Sequence, residues 1–207
     1  MVVSYGEILN FTTILISTVA LANGTIGSSY TAGLTGTGGV GPYSWSSGTL
    51  PAGLTMTTVG VITGTPTTAG TTAVIFTMTD DFYGTSTTKT LNIVVKASVT
   101  YALNGGSGTL PSEANHAAGE TFALAASTGL TKNGYTFSKW NDGTTDYNAG
   151  ATYTMGSANT TLTAVWAAVN YTVLYDDNVT GETISVPTDA GTYNIGQTVT
   201  ISGTEPT

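Results

Sequence analysis

The chain has 207 residues, only 8% of them charged, and twelve acids face four lysines and no arginine, giving a net charge of -8 at pH 7. That balance argues against nucleic acid and against an anionic membrane surface, both of which require a basic face. With no cysteine, disulfides, thiolate zinc sites and cysteine nucleophiles are excluded together. The 40% of hydrophobic residues is enough apolar surface for a folded core rather than disorder. β-branched residues recur between glycine-rich turns and no extended apolar stripe has helical spacing, so an all-β protein is predicted.

Residues 1–9 read as an N-terminal extension. "FTTILISTVALA", Phe11 to Ala22, has the apolar run and the Ala-Leu-Ala ending of a secretory leader. The residues before it contain Glu7 and no Lys or Arg, whereas a leader begins with positive charge. The run is also too short and too rich in Thr to span a bilayer. It is therefore expected to be a folded strand, with any export signal outside these residues.

From Ile14 to Val95 short β-rich runs alternate with turn signals at the spacing of a sandwich. In "AVIFTMT" Val74, Phe76 and Met78 face one way, and Leu91, Ile93 and Val95 do so in the last strand. In "LPAGL" Pro51 fixes one backbone angle and Gly53 permits positive φ, so a sharp turn can bury Leu50 and Leu54. "GVITGTP" reads as a short strand ended by Gly64 and Pro66, after which the chain crosses to the other sheet.

"LANGTIGSSYTAGLTGTGGVGPYSWS", "GTLPAGLTM", "GVITGTPTTAGT" and "FTMTDD" occur in the order of the immunoglobulin-like domain found in tandem in large bacterial surface proteins, and residues 14–95 resemble that family. Beyond Lys96, "VTYALNGG", "GYTFSKW" and "TLTAVW" are similar to the repeat named for Listeria and Bacteroides surface proteins, a relative of the internalin B repeats. That second resemblance implies a small β-grasp-like module. The expected organisation is an immunoglobulin-like β-sandwich over 10–96, one complete repeat over 97–168 and a partial second repeat over 169–207. The second copy restarts 72 residues on at Thr172 and 77 residues on at "NIGQTVTIS", and no second "GYTFSKW" follows.

Trp45, Trp140 and Trp166, with Tyr101, Tyr135, Phe137 and Tyr153, carry either a sugar-stacking platform or module cores. Core is favoured, because a small module relies on buried aromatics. Strand alternation points Trp140 away from Tyr135 and Phe137, so either both faces of the strand are covered or a bulge near Lys139 turns it inward. Asp80, Asp81, Asp176 and Asp177 are candidate calcium ligands, since acidic loops at module ends offer the oxygens calcium takes. None has EF-hand spacing, and turns favour Asp without a metal. His116 is the sole histidine, four residues from Glu120, with no second histidine for zinc. "NGGSGT" lacks the Gly-Lys-Ser/Thr of a phosphate loop and reads as a hairpin.

No catalytic constellation, catalytic residue or cofactor beyond calcium is expected. The resemblances imply a structural module that spaces adhesive domains on a bacterial surface, in an extracellular or cell-surface setting, with adjacent modules as its partners. Two alternatives stay open: direct binding of a surface glycan or host protein, and a filament or virion subunit completed by a neighbouring chain.

Overall fold

The computed structural model describes residues 12–176, 180 and 185–201. Sixteen strands and no helix are found there, so the protein is all-β. The first nine are β1 (Leu15–Ile16), β2 (Gly24–Thr25), β3 (Tyr30–Gly33), β4 (Gly36–Thr37), β5 (Tyr43–Ser47), β6 (Leu54–Met56), β7 (Val61–Gly64), β8 (Gly70–Asp80) and β9 (Thr85–Ala97). Strands β8 and β9 form a long antiparallel hairpin from Gly70↔Val95 to Asp80↔Thr85. Their alternation works as predicted: Val74, Phe76, Met78, Leu91, Ile93 and Val95 are all buried. β5 pairs with the far side of β8, while β2 joins β9 in parallel.

A second sheet, β3-β7-β6, faces the first. Tyr30, Leu54 and Ile62 from this sheet share one core with Trp45, Phe76 and Ile93 from the other, which makes the arrangement an immunoglobulin-like sandwich. Gly53 shows why the "LPAGL" turn needs glycine. Its φ is +88°, and an added Cβ would lie 2.1 Å from the Thr65 carbonyl oxygen. The apolar run once comparable to a leader contributes β1, which pairs with β4 and buries Ile16. Among the described residues no helix is long and apolar enough to cross a membrane.

The remaining strands are β10 (Val99–Ala102), β11 (His116–Ala117), β12 (Thr121–Ala123), β13 (Tyr135–Asn141), β14 (Asp146–Tyr147), β15 (Thr152–Thr154) and β16 (Thr160–Ala168). They build a four-stranded sheet in the order β10-β16-β13-β14 and a two-stranded sheet of β12 and β15. Register shifts between Phe137 and Lys139 where β13 meets β16. This bulge brings Trp140 round to Phe137, with ring centroids 4.9 Å apart, and leaves the indole fully buried.

Packing divides the chain into two compact units. The first gathers the described residues up to Val99 with Glu113–Ala123 and Thr152–Thr160; the second holds Thr100–Ser112, Leu124–Ala151 and the described residues from Thr161 onward. Within the first unit β11 pairs with the end of β9, His116↔Ala97 and Ala117↔Lys96, so the sandwich sheet gains a strand from beyond residue 97. The Ala69 amide donates to the Ser157 carbonyl at 2.9 Å and the Ser98 amide to Asn159 Oδ1 at 2.8 Å.

Candidate functional site

Asp80 closes β8 with its side chain on the core face, fully buried. Its Oδ2 accepts from the amides of Val40 (2.7 Å) and Gly41 (3.4 Å), and its Oδ1 from those of Phe82 (2.9 Å) and Tyr83 (3.3 Å). A carboxylate has about four acceptor positions, and all of them here serve backbone donors. The Val40 amide foremost, with those of Gly41, Phe82 and Tyr83, outweighs desolvation and holds the carboxyl below its usual range.

One buried anion thus fastens two loops at the same end of the sandwich. Glycine makes the approach possible, since a Cβ on Gly39 would lie 2.0 Å from Asp80 Oδ2. The Gly38 carbonyl accepts from the Tyr43 hydroxyl, and the Gly39 amide donates to the Thr12 carbonyl at 3.0 Å. On these fixed loops Val40 and Phe82 are 62% and 67% exposed. Val40 lines a cleft of about 550 Å³ together with Ile14, Gly39, Tyr83, Thr85 and Thr87 among others; Phe82 stands outside that lining and meets Tyr83 edge to face.

The other acidic candidates lie apart from such a centre. Asp81 is exposed and accepts the Ser44 hydroxyl at 2.6 Å. Asp176 is exposed, and Asp177 lies outside the described residues. Among the described residues no group of three or more His, Asp or Glu side chains is placed to hold a metal.

His116 is buried and stacked face to face on Phe122, with ring centroids 3.8 Å apart. Its Nε2 lies 3.2 Å from Glu113 Oε1. Nδ1 lies 3.1 Å from Glu120 Oε1, outside hydrogen-bonding alignment. The two carboxylates sit at different ring nitrogens, so they brace the imidazole instead of converging on a cation. The Ala117 amide and then the His116 side chain hold Glu120 below the usual carboxylate range.

A further acidic loop is "NDGTTD", Asn141 to Asp146. Asp142 Oδ1 accepts from the amides of Thr144 (2.9 Å) and Thr145 (2.8 Å), and Oδ2 from the Tyr147 hydroxyl (3.1 Å). Burial pushes this carboxyl up, but the hydrogen bonds together leave it below its usual value. The signal was an Asx turn, Asp followed by Gly and Thr.

The tryptophans hold loops rather than form a platform. Trp45 lies under Gly60, where a Cβ would come within 3.0 Å of the indole. The Trp140 N–H donates to the Ala125 carbonyl at 2.9 Å, and the Trp166 N–H to that of Leu103 at 2.8 Å. Trp166 also presses on Gly106, whose added Cβ would lie 2.3 Å from the ring.

Residues 12–96 match the family model described as "Putative Ig domain", and residues 98–165 match the Listeria-Bacteroides repeat domain. The chain joins an Ig-like domain to a Listeria-Bacteroides repeat. Their order along the chain is that of the sequence motifs, and the sandwich in residues 12–96 is the fold of the Ig-like domain. No curated protein matches the chain. Two solved structures from Bacteroides fragilis, described as a "putative alpha-galactosidase/melibiase" and a "putative alpha-galactosidase", are each 19% identical with a TM-score of 0.36. They cover 44% and 47% of this chain but 21% and 22% of their own, so the chain spans about a fifth of their length. An I-band fragment of titin is 9% identical over 86% of this chain and 85% of its own, with a TM-score of 0.30. The Ig-like domain together with the repeat fits a modular surface protein.

Proposed function

We propose that the chain is a non-catalytic spacer which holds adhesive domains away from a bacterial cell surface. The observation that carries this reading is the use made of the tryptophans: each fixes a loop or a sheet of its own module. Stacking ligands need an exposed aromatic face, and Trp45 and Trp140 are buried. The antiparallel pairing of β11 with β9 supports the same reading, because backbone bonds across a module junction restrict hinging there.

To test it, the whole 207-residue chain is inserted between a surface anchor and a reporter binding domain. A spacer raises the reporter above the membrane by more than a Gly/Ser linker of equal length, whose coil collapses with the square root of its length, and leaves reporter affinity unchanged. Equal heights for the two inserts sink the reading.

A second reading, direct binding, draws on one feature: the cleft lined by Val40 and Tyr83, whose loops Asp80 holds in place. Its neutral lining of hydroxyls with Tyr83 suits an uncharged glycan. A neutral-glycan array that retains the chain, and loses it on Tyr83→Ala, would replace the spacer by a binding module.

A further inference from the structure

Three asparagines precede a glycine, in Asn23-Gly24, Asn104-Gly105 and Asn133-Gly134, and one aspartate does so, in Asp142-Gly143. A following glycine has no Cβ to keep its amide nitrogen from the neighbouring side-chain carbonyl. Attack by that nitrogen closes a five-membered succinimide. The fold decides which pair can react, because the side chain must swing onto an amide that is not already donating elsewhere.

Three of the four pairs are held. Gly24 is buried in β2 and pairs with Val95 in β9. Asn104 has a φ of +51°, and its Nδ2 donates to the Ala164 carbonyl at 3.0 Å. At Asp142 both reactants are occupied: Oδ1 accepts from the amides of Thr144 and Thr145, and the Gly143 amide donates to Asn141 Oδ1 at 2.7 Å.

Asn133-Gly134 differs on each count. Asn133 is exposed, and the pair forms a two-residue hairpin connection in which Lys132 bridges Tyr135 and the Tyr135 amide donates to the Lys132 carbonyl at 3.0 Å. Among the described residues neither the Asn133 side chain nor the Gly134 amide has a hydrogen-bond partner. The glycine is also fixed in place. Its φ is +76°, and an added Cβ would lie 2.0 Å from Ile195 Cγ2, so the fold retains the reactive pair.

We propose that Asn133 is a self-modification site, whose conversion to isoaspartate opens this turn and releases the end of β16. The Gly134 nitrogen forms a bond to Asn133 Cγ while the Cγ–Nδ2 bond breaks, and ammonia leaves with the amide proton. Water then adds to the ring. Addition at the side-chain carbonyl gives aspartate; addition at the main-chain carbonyl gives isoaspartate, with the backbone rerouted through Cβ and Cγ and one methylene longer. A two-residue connection is specified by its length and has no room for the extra atom. The Gly134 carbonyl accepts from the Val169 amide at 2.9 Å, just beyond the Tyr135↔Ala168 pair of β13 and β16, so the lengthened turn loses that latch.

Trypsin makes the test direct, because the chain has four lysines and no arginine. Asn23, Asn104 and Asn133 fall in separate tryptic peptides, the last being Asn133–Lys139. The whole chain is aged in mildly alkaline buffer, folded or in urea, and each peptide is scored for the gain of one mass unit and for isoaspartate. In the folded chain Asn133 should convert first and close to its rate in urea, whereas Asn23 and Asn104 should convert at least about tenfold more slowly than in urea. Asn133→Gln, whose ring would need six members, should silence its peptide. Conversion at Asn133 that lags either other site, or that the fold suppresses as strongly, overturns the assignment. In the aged chain the Val169 amide should exchange faster than in the fresh one; unchanged exchange overturns the release of β16. Neither readout depends on reporter height, so the spacer reading stands or falls separately.

Discussion

The sandwich and the repeat bury their aromatics in different economies of scale. In the sandwich, β8 and β9 alone contribute eight buried residues, Val74, Phe76, Met78 and Asp80 from one and Leu91, Ile93, Val95 and Ala97 from the other, spread along one face of the hairpin. In the repeat, Trp140 meets Tyr101 at 4.7 Å and Phe137 at 4.9 Å, and Phe137 in turn meets Trp166. The sandwich therefore spreads its core along a hairpin, and the repeat groups its aromatics around one indole, with Leu162 and Met155 buried as well. A small module has few other resources, because less of its chain can be buried.

The sharpest way to break that contrast is a matched pair of core deletions. Trp140→Ala and Phe76→Ala each remove a fully buried ring and should each cost about 3–5 kcal/mol. The repeat's calorimetric transition should vanish with the first, whereas the sandwich's should only move down with the second. Loss of both transitions in either variant would show that stability is shared across the chain.

Asp80→Asn tests the sandwich at its loop end. The carboxyl's ordinary value is 3.8 and the folded one is lower, so its contribution is complete above that value and fades as pH falls through the folded one. The variant should lower the sandwich Tm on the order of 10 °C at neutral pH. Its deficit should shrink in acid, read by thermal scans from pH 7 down to about pH 2. A deficit that persists unchanged in acid assigns the loss to packing instead.

Gly53→Ala should cost about 2 kcal/mol, from left-handed strain and the Thr65 carbonyl contact, measured by denaturant unfolding. Glu120→Gln should have the smallest effect. The second copy already carries Gln197 at that place, so the Tm should stay within about 2 °C of the parent. A larger drop would mean that the charge beside His116, and not the hydrogen bond from the Ala117 amide, is what this turn requires.

Much of the fold is legible in single residues. Alternation in "AVIFTMT" names the buried face of β8, and in "GYTFSKW" it leaves two solutions for Trp140, a strand covered on both faces or a bulge beside Lys139, of which the bulge is found. The order of the two domain types follows from motifs such as "LPAGL" and "GYTFSKW". Site chemistry is less legible, because a side chain's partners are set by tertiary contact. Asp80 and Asp81 look alike in "TDDFYG", yet alternation at the end of β8 sends one into four amides and the other to solvent. His116 shows the same limit. Glu113 and Glu120 are visible three and four residues away, but which ring nitrogen each faces, and the stack on Phe122, depend on where the chain turns.

β9 ends on Ala97, which is fully buried and pairs with His116. Side chains in a strand alternate with a period of two. One residue inserted near the end of β9 would therefore turn Ala97 outward, whereas two would restore its face, so the end of this strand accepts length changes in pairs more readily than singly.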